Sequence, residues 1–187
     1  MDKQSAAVLA VLLLASGCGA GGSPPPRQPE SEFTRLRGPD LARVTELYAA
    51  GKKLEAAAIL RPMAANENWE VRVRAIRAIG DAKDRDLLPE VHAALADENI
   101  EVRESAGRVL QGLADESSIG PLLAALSDPE PVIRMRAVEA LASVGGAAQL
   151  ETLEKVSKND QDPSVREAAQ EALLRLRESP GVLRSPD

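Results

Sequence analysis

The chain has 187 residues, 44% of them hydrophobic and 28% charged, and carries a formal net charge of -6. That balance belongs to an ordinary globular protein, and its acidity argues against nucleic acid as a partner, because binding a phosphate backbone needs a basic surface. A single Cys excludes an intramolecular disulfide, and aromatics at 2% oblige any core to be built from Leu, Ile, Val and Ala, which favours close helix–helix contact.

The first element reads as an address. Residues 6–15, AAVLAVLLLA, form an unbroken apolar run behind Lys3 and ahead of the small residues Ser16 and Gly17. This is the three-part layout of a secretory signal. The run is too short for a bilayer core, which needs about 20 residues. Its end, Leu14-Ala15-Ser16-Gly17-Cys18, resembles the lipobox of bacterial lipoproteins, with Ala15 where that family usually has Leu and Asp2 offsetting Lys3. The resemblance implies that Cys18 is lipidated and becomes the first residue of the mature protein. With several acyl chains the protein would stay on its membrane, each buried methylene contributing about 0.8 kcal/mol. Gly19 rather than Asp after the Cys implies sorting to the outer membrane, facing the periplasm. The next stretch, GAGGSPPPRQPESEFTRLRG, is rich in Gly, Ser and Pro. It has too little apolar surface to offset chain ordering and is expected to be a disordered tether. The expected domains are therefore 1–17 signal peptide, 18–38 lipidated Cys and tether, 39–178 helical body, and 179–187 tail.

An amphipathic helix is expected from Asp40 to Ala50, with Leu41, Val44, Leu47 and Tyr48 on one side and Gly51 ending it. Beyond it the chain copies itself. A β-branched residue followed by Arg recurs at Val71-Arg72, Val102-Arg103, Ile133-Arg134 and Val165-Arg166, at spacings of 31, 31 and 32. Four residues on stands Ala75, Ala106, Ala137 or Ala169, and eight on stands Ile79, Leu110, Leu141 or Leu173. Offsets of four and eight share one helical face. A second helix precedes each copy, carrying Leu88, Val91 and Leu95, then Ile119, Leu122 and Leu126, then Leu150 and Leu153. Asp97, Asp128 and Asp160 open the turns between them, and Pro131 and Pro163 suit a first helical turn.

This pattern of helix, Asp-containing turn and Val-Arg-x-x-Ala resembles HEAT repeats of the short kind seen in bacterial and phycobilisome-lyase-like proteins. It implies an all-α, right-handed α-solenoid of about four helix pairs, at 53–82, 84–114, 116–145 and 147–178, with the 40–50 helix as an N-terminal cap. The first pair is degenerate, with Pro62 inside a helix and Asn66 in place of the turn Asp. A helix pair alone cannot bury its apolar stripe, but stacked pairs bury one another's. The resemblance also implies a polar ladder between repeats from Asp97, Arg103, Asp128, Arg134, Asp160 and Arg166, expected to be exposed and to contribute about 0–1 kcal/mol per pair.

No catalytic, metal or cofactor constellation is expected. Asp160, Asp162 and Ser164 faintly suggest a calcium loop, but Val165 stands where Gly is required and Pro163 interrupts it. His92 is the only His and lacks a second ligand. No phosphate loop, nucleophile elbow or Ser/His/Asp set occurs. The remaining resource is the face of the second helices, which lines the concave side in HEAT stacks. Expected to point outward there are Glu70, Val73 and Arg77; Glu101, Glu104 and Arg108; Val132, Met135 and Glu139; Ser164, Glu167 and Glu171. Apolar Val73, Val132 and Met135 rimmed by charge suggest a protein- or peptide-binding strip, with Trp69 as an anchor or as a staple of the first repeat. The leading expectation is a membrane-anchored interaction scaffold of the bacterial envelope, not an enzyme. The alternatives are a lyase-like chromophore-binding protein or enzyme, and a structural assembly factor.

Two substitutions test the core. Ala106→Leu should overpack the stack at a cost of about 1–3 kcal/mol, and Leu110→Ala should leave a cavity costing about 2–5 kcal/mol. Both are read from thermal melts.

Overall fold

The computed structural model describes residues 39–144 and 146–178. The expected signal peptide and tether, with Cys18, Gly145 and the expected tail, lie outside the described residues. The described residues form helices α1 (Pro39–Ala49), α2 (Lys53–Ala64), α3 (Trp69–Ala82), α4 (Leu88–Ala94), α5 (Ile100–Leu113), α6 (Ile119–Ala125), α7 (Pro131–Val144), α8 (Ala147–Asn159) and α9 (Pro163–Glu178). Short 3₁₀ turns, Arg85–Leu87 and Glu116–Ser118, lead into α4 and α6. Among the described residues there is no strand, and no helix long and apolar enough to cross a membrane.

The helices pair as α2–α3, α4–α5, α6–α7 and α8–α9, and the second members α3, α5, α7 and α9 stack one on the next. The result is an α-solenoid. Its interior is the predicted stripe: Val71, Ala75, Ile79, Val102, Ala106, Leu110, Ile133, Ala137, Leu141, Val165 and Ala169 are wholly buried, and Leu173 nearly so. Leu122, Val91 and Leu153 meet them from the first helices. Each such Leu, Ile or Val stabilises the fold by about 1.5–3 kcal/mol, and no aromatic ring is needed.

Helix α1 covers the first pair. Val44 and Leu47 enter the core, and Leu41 and Tyr48 pack against it. Gly51, at φ +72°, ends α1 in the left-handed conformation that a Cβ would disfavour. The Lys52 amide donates to the Leu47 carbonyl and the Gly51 amide to that of Tyr48, so the last carbonyls of α1 are satisfied. The Tyr48 hydroxyl donates to Asp84 Oδ2 at 2.7 Å, tying the cap to the turn before α4. Burial of the phenol and its bond to the Asp84 carboxylate raise the Tyr48 pKa. The first pair accommodates Pro62 in the last turn of α2.

Two glycines set how closely the second helices approach. A Cβ on Gly80 would sit 2.7 Å from Val109 Cγ2, and one on Gly107 would sit 2.7 Å from Arg136 Cβ. Alanine at the crossing is thus only part of the close packing; glycine takes the tightest positions on the flank facing the next repeat. Gly112 lies in the same helix as Gly107 with nothing within 4 Å of its would-be Cβ.

The two glycines of α5 should therefore respond oppositely. Gly112→Ala should stabilise by about 0.5–1 kcal/mol through helix propensity alone. Gly107→Ala gains the same term but must displace Arg136, and should lower the melting temperature. Equal shifts in thermal melts would contradict the close approach.

Candidate functional site

Each turn between paired helices is built from relayed side-chain caps. Asp97 Oδ1 accepts the Asn99 amide, and Asn99 Oδ1 accepts the Glu101 amide, both at 2.9 Å. Asp160 and Asp162 repeat this with the amides of Asp162 and Ser164, and Asp128 takes the Glu130 amide at 2.9 Å. In the first repeat Asn66 and Asn68 do the same. The helix caps proper are Asn68 and Asn99. The aspartates stand two residues ahead of the cap, with their carboxylates free to reach elsewhere.

They reach the preceding repeat. Arg72 donates from Nε and Nη2 to the two Asp97 oxygens, each at 2.7 Å. Arg103 reaches Asp128 at 2.8 and 3.3 Å, and Arg134 reaches Asp160 at 2.8 Å twice. The third nitrogen, Nη1, donates to two backbone carbonyls of the arginine's own turn: Asn66 and Glu67 for Arg72, Asp97 and Glu98 for Arg103, Asp128 and Pro129 for Arg134. The Asp and Arg six apart in sequence are therefore joined through a backbone carbonyl. The carboxylate bridge runs 25 or 26 residues onward. Arg72 supplies the first rung, which the sequence reading left out although the Val-Arg spacing marks it.

The expected exposure of the ladder is corrected. The three bridged arginine side chains are only 5–12% exposed and their aspartates 8–12%. The guanidinium lies between two stacked turns that shut out water. Pairs this buried need every donor satisfied, and removing one partner costs about 3–5 kcal/mol rather than the small figure for a surface pair. The hydrogen bond from Arg134 holds the Asp160 carboxyl below the usual range despite its burial. At Asp97 burial pushes upward, but the bonds from Arg72 and the Asn99 amide, with the charges of Arg72 and Arg103, outweigh it and the net shift is downward.

The face of the second helices differs from the apolar strip expected. Val73 is 6% exposed and belongs to the core, because the first repeat is covered by its neighbours. Val132 and Met135 are half-buried against the core. The positions matching Val73 open progressively along the stack, Glu104 and Met135 half-buried and Glu167 exposed. Glu104 accepts from Arg108 at 2.7 Å, and Glu139 accepts from Gln111 at 2.6 Å and Arg136 at 3.0 Å. Trp69, at the start of α3, is 41% exposed. Between α3 and α5 lies a cavity of about 470 Å³ whose wall includes Arg77, Lys83, Arg108, Asp81 and Val109. A second, of about 400 Å³, shares Arg77 and Asp81 and is completed by Leu41, Val44, Tyr48 and Arg74. Arg77 and Lys83 make no ion pair or hydrogen bond among the described residues. The two hollows form a groove with a basic rim, which the sequence hid because its cations come from two separate helices and the turn after the first of them.

The side chains with chemical potential are otherwise occupied. His92 Nε2 lies 2.8 Å from the buried Ser118 Oγ, and burial, opposed by the Asp115 charge, lowers its pKa. Asp160 is bridged by Arg134, and Asp162 by Ser164. Among the described residues no group of three His, Cys, Asp or Glu is placed to hold a metal.

Residues 56–111 and 90–174 match the family described as HEAT repeats. The crystal structure of an engineered protein from the Northeast Structural Genomics Consortium shares the fold, with a TM-score of 0.53 at 20% identity, covering 76% of this chain and 68% of that one. No curated protein matches the chain.

Two outcomes follow for the ladder. Asp160→Asn keeps an acceptor for the Asp162 amide but removes the charge, and should cost about 3–5 kcal/mol in urea unfolding. Asp97 and Asp160 carry depressed folded pKa values, so their contribution is complete above the ordinary Asp value of about 3.9 and is lost as pH falls through the folded values. His92, lowered in the fold, adds a loss that begins earlier, as pH falls below about 6.5. Melting temperature should therefore decline gently below pH 6.5 and steeply below pH 4.

Proposed function

The chain belongs to the HEAT-repeat family, and from that membership we propose that it is a non-catalytic scaffold that captures a protein or peptide along the face of its second helices. The observation that carries this reading is the groove between α1, α3 and α5, where Arg77 and Lys83 have no partner among the described residues and stand beside apolar Leu41, Val44 and Val109. Unspent cations next to apolar walls bind a partner at little internal cost. The non-catalytic part rests on the complete burial of Ser118, the hydroxyl beside His92, which no substrate can reach, and on the engagement of Asp160 with Arg134.

We further propose that the body is tethered to the bacterial envelope, at the outer membrane and facing the periplasm, through acyl chains on Cys18. The lipobox-like LASGC at 14–18 and the Gly- and Pro-rich stretch before Pro39 support this.

Full-length protein expressed with its own leader in a didermal bacterium, crosslinked and analysed by mass spectrometry, tests both parts. Arg77→Ala with Arg108→Ala should remove the crosslinked partner without lowering the melting temperature, since Arg77 pairs with none of the described residues and Arg108 has only an exposed pair. Cys18→Ser should release the protein from membranes. Partner capture unaffected by the groove variant would refute the groove, and a membrane-retained Cys18→Ser protein would refute the anchor.

A further inference from the structure

Among the described residues the last rung of the ladder is open. Arg166 holds the same place in its repeat as Arg72, Arg103 and Arg134, and its Nη1 donates to the Asp160 and Gln161 carbonyls at 2.7 and 3.3 Å. Its Nε and Nη2, which in the three inner arginines grip both oxygens of an aspartate, have no partner among the described residues. The carbonyl bonds hold the guanidinium by the same nitrogen as in the inner rungs, so the fork is oriented before anything binds.

The surrounding helix face is open as well. The positions five and nine residues after the β-branched residue turn toward the next repeat, as Gly107 against Arg136 and Gly80 against Val109 demonstrate. In α9 these positions are Gln170, which is exposed, and Leu174, which is 59% exposed. The inner counterparts of Gln170, namely Ile76, Gly107 and Val138, are all buried.

We propose that this terminal face docks a helical partner that presents an aspartate in a side-chain-capped turn at the head of an amphipathic helix. The three inner rungs define that occupant. In each, one carboxylate takes the arginine fork with both oxygens while Oδ1 also accepts the amide two residues later. A bidentate carboxylate is the best complement to a guanidinium fork, and an apolar helix following the turn covers Leu174. A second copy of this chain does not offer this chemistry. Its first repeat carries uncharged Asn66 at the matching position, and its α1 already borders α3 where a preceding repeat would stack. The site is separate from the groove.

The probe is a fluorescein-labelled peptide copying residues 147–178, a helix–turn–helix unit with its own Asp160, titrated against the full chain and followed by fluorescence anisotropy. Saturable binding is expected, weakened roughly tenfold or more by Arg166→Lys, which keeps the charge and loses the fork. Leu174→Ser in the protein and Asp160→Ala in the peptide should weaken it similarly. Arg77→Ala with Arg108→Ala should leave it unchanged, so this site and the groove fail independently. No saturable binding to the wild-type chain, or binding indifferent to both Arg166→Lys and Leu174→Ser, overturns the proposal. Binding that appears only after residues 179–187 are removed overturns it in favour of the chain's own tail. Self-association in sedimentation that Arg166→Lys abolishes overturns it in favour of a second copy.

Discussion

One guanidinium in each of the first three repeats, taken out of water and shared between two turns, is the constraint on which the rest of the stack depends. Arg72, Arg103 and Arg134 each lie between their own turn and the next, donating to two carbonyls on one side and one carboxylate on the other. A buried charge is tolerated only when its donors are matched, and a misplaced carboxylate leaves two charges unsatisfied at once. A slip of one repeat against the next therefore costs far more than the apolar stripe, which is smooth and nearly interchangeable among Leu, Ile and Val, could impose. On this view hydrophobic burial drives the stacking and the ladder selects its register. The same constraint accounts for the degenerate first turn. Asn66 keeps the cap to the Asn68 amide, and among the described residues the earlier arginines, Arg43 and Arg61, pair elsewhere, with Glu46 and Glu90.

Close approach of the second helices follows from the same geometry. The fork reaches across only if neighbouring turns are near, and small residues allow this. Gly80 receives Val109 and Gly107 receives Arg136 where any side chain would collide, while Ala75, Ala106, Ala137 and Ala169 line the buried crossing. A core with so few aromatic residues is a consequence. Bulky rings would prop the helices apart and pull the arginines from their carboxylates.

The repeat, its helices and the core stripe were legible because they rest on local periodicity: β-branched residue, then Ala at four, then Leu or Ile at eight. What escaped sequence reading depends on contacts between repeats. Asp97 and Arg103, six apart, look like partners, yet the carboxylate of Asp97 belongs to Arg72, and no spacing rule within one turn points 25 residues back. Burial of the ladder was invisible for the same reason, since a charged side chain in a turn reads as exposed. Val73 was placed on the open face from its helical angle alone, which cannot register that the first repeat is covered by its neighbours. The basic groove draws Arg74, Arg77, Lys83 and Arg108 from separate places in the chain, and at a net charge of -6 nothing in the composition announces it.

The central claim, that the fork couples successive repeats, is tested most directly by a double-mutant cycle on Arg103 and Asp128. Urea unfolding would be measured for Arg103→Met, Asp128→Asn and the pair. The account predicts strong coupling, with the double variant more stable than the sum of the single losses implies by about 1–3 kcal/mol. Losses that add to within about 0.5 kcal/mol would mean that the two side chains stabilise the fold separately, and that the ladder does not set the register of the stack.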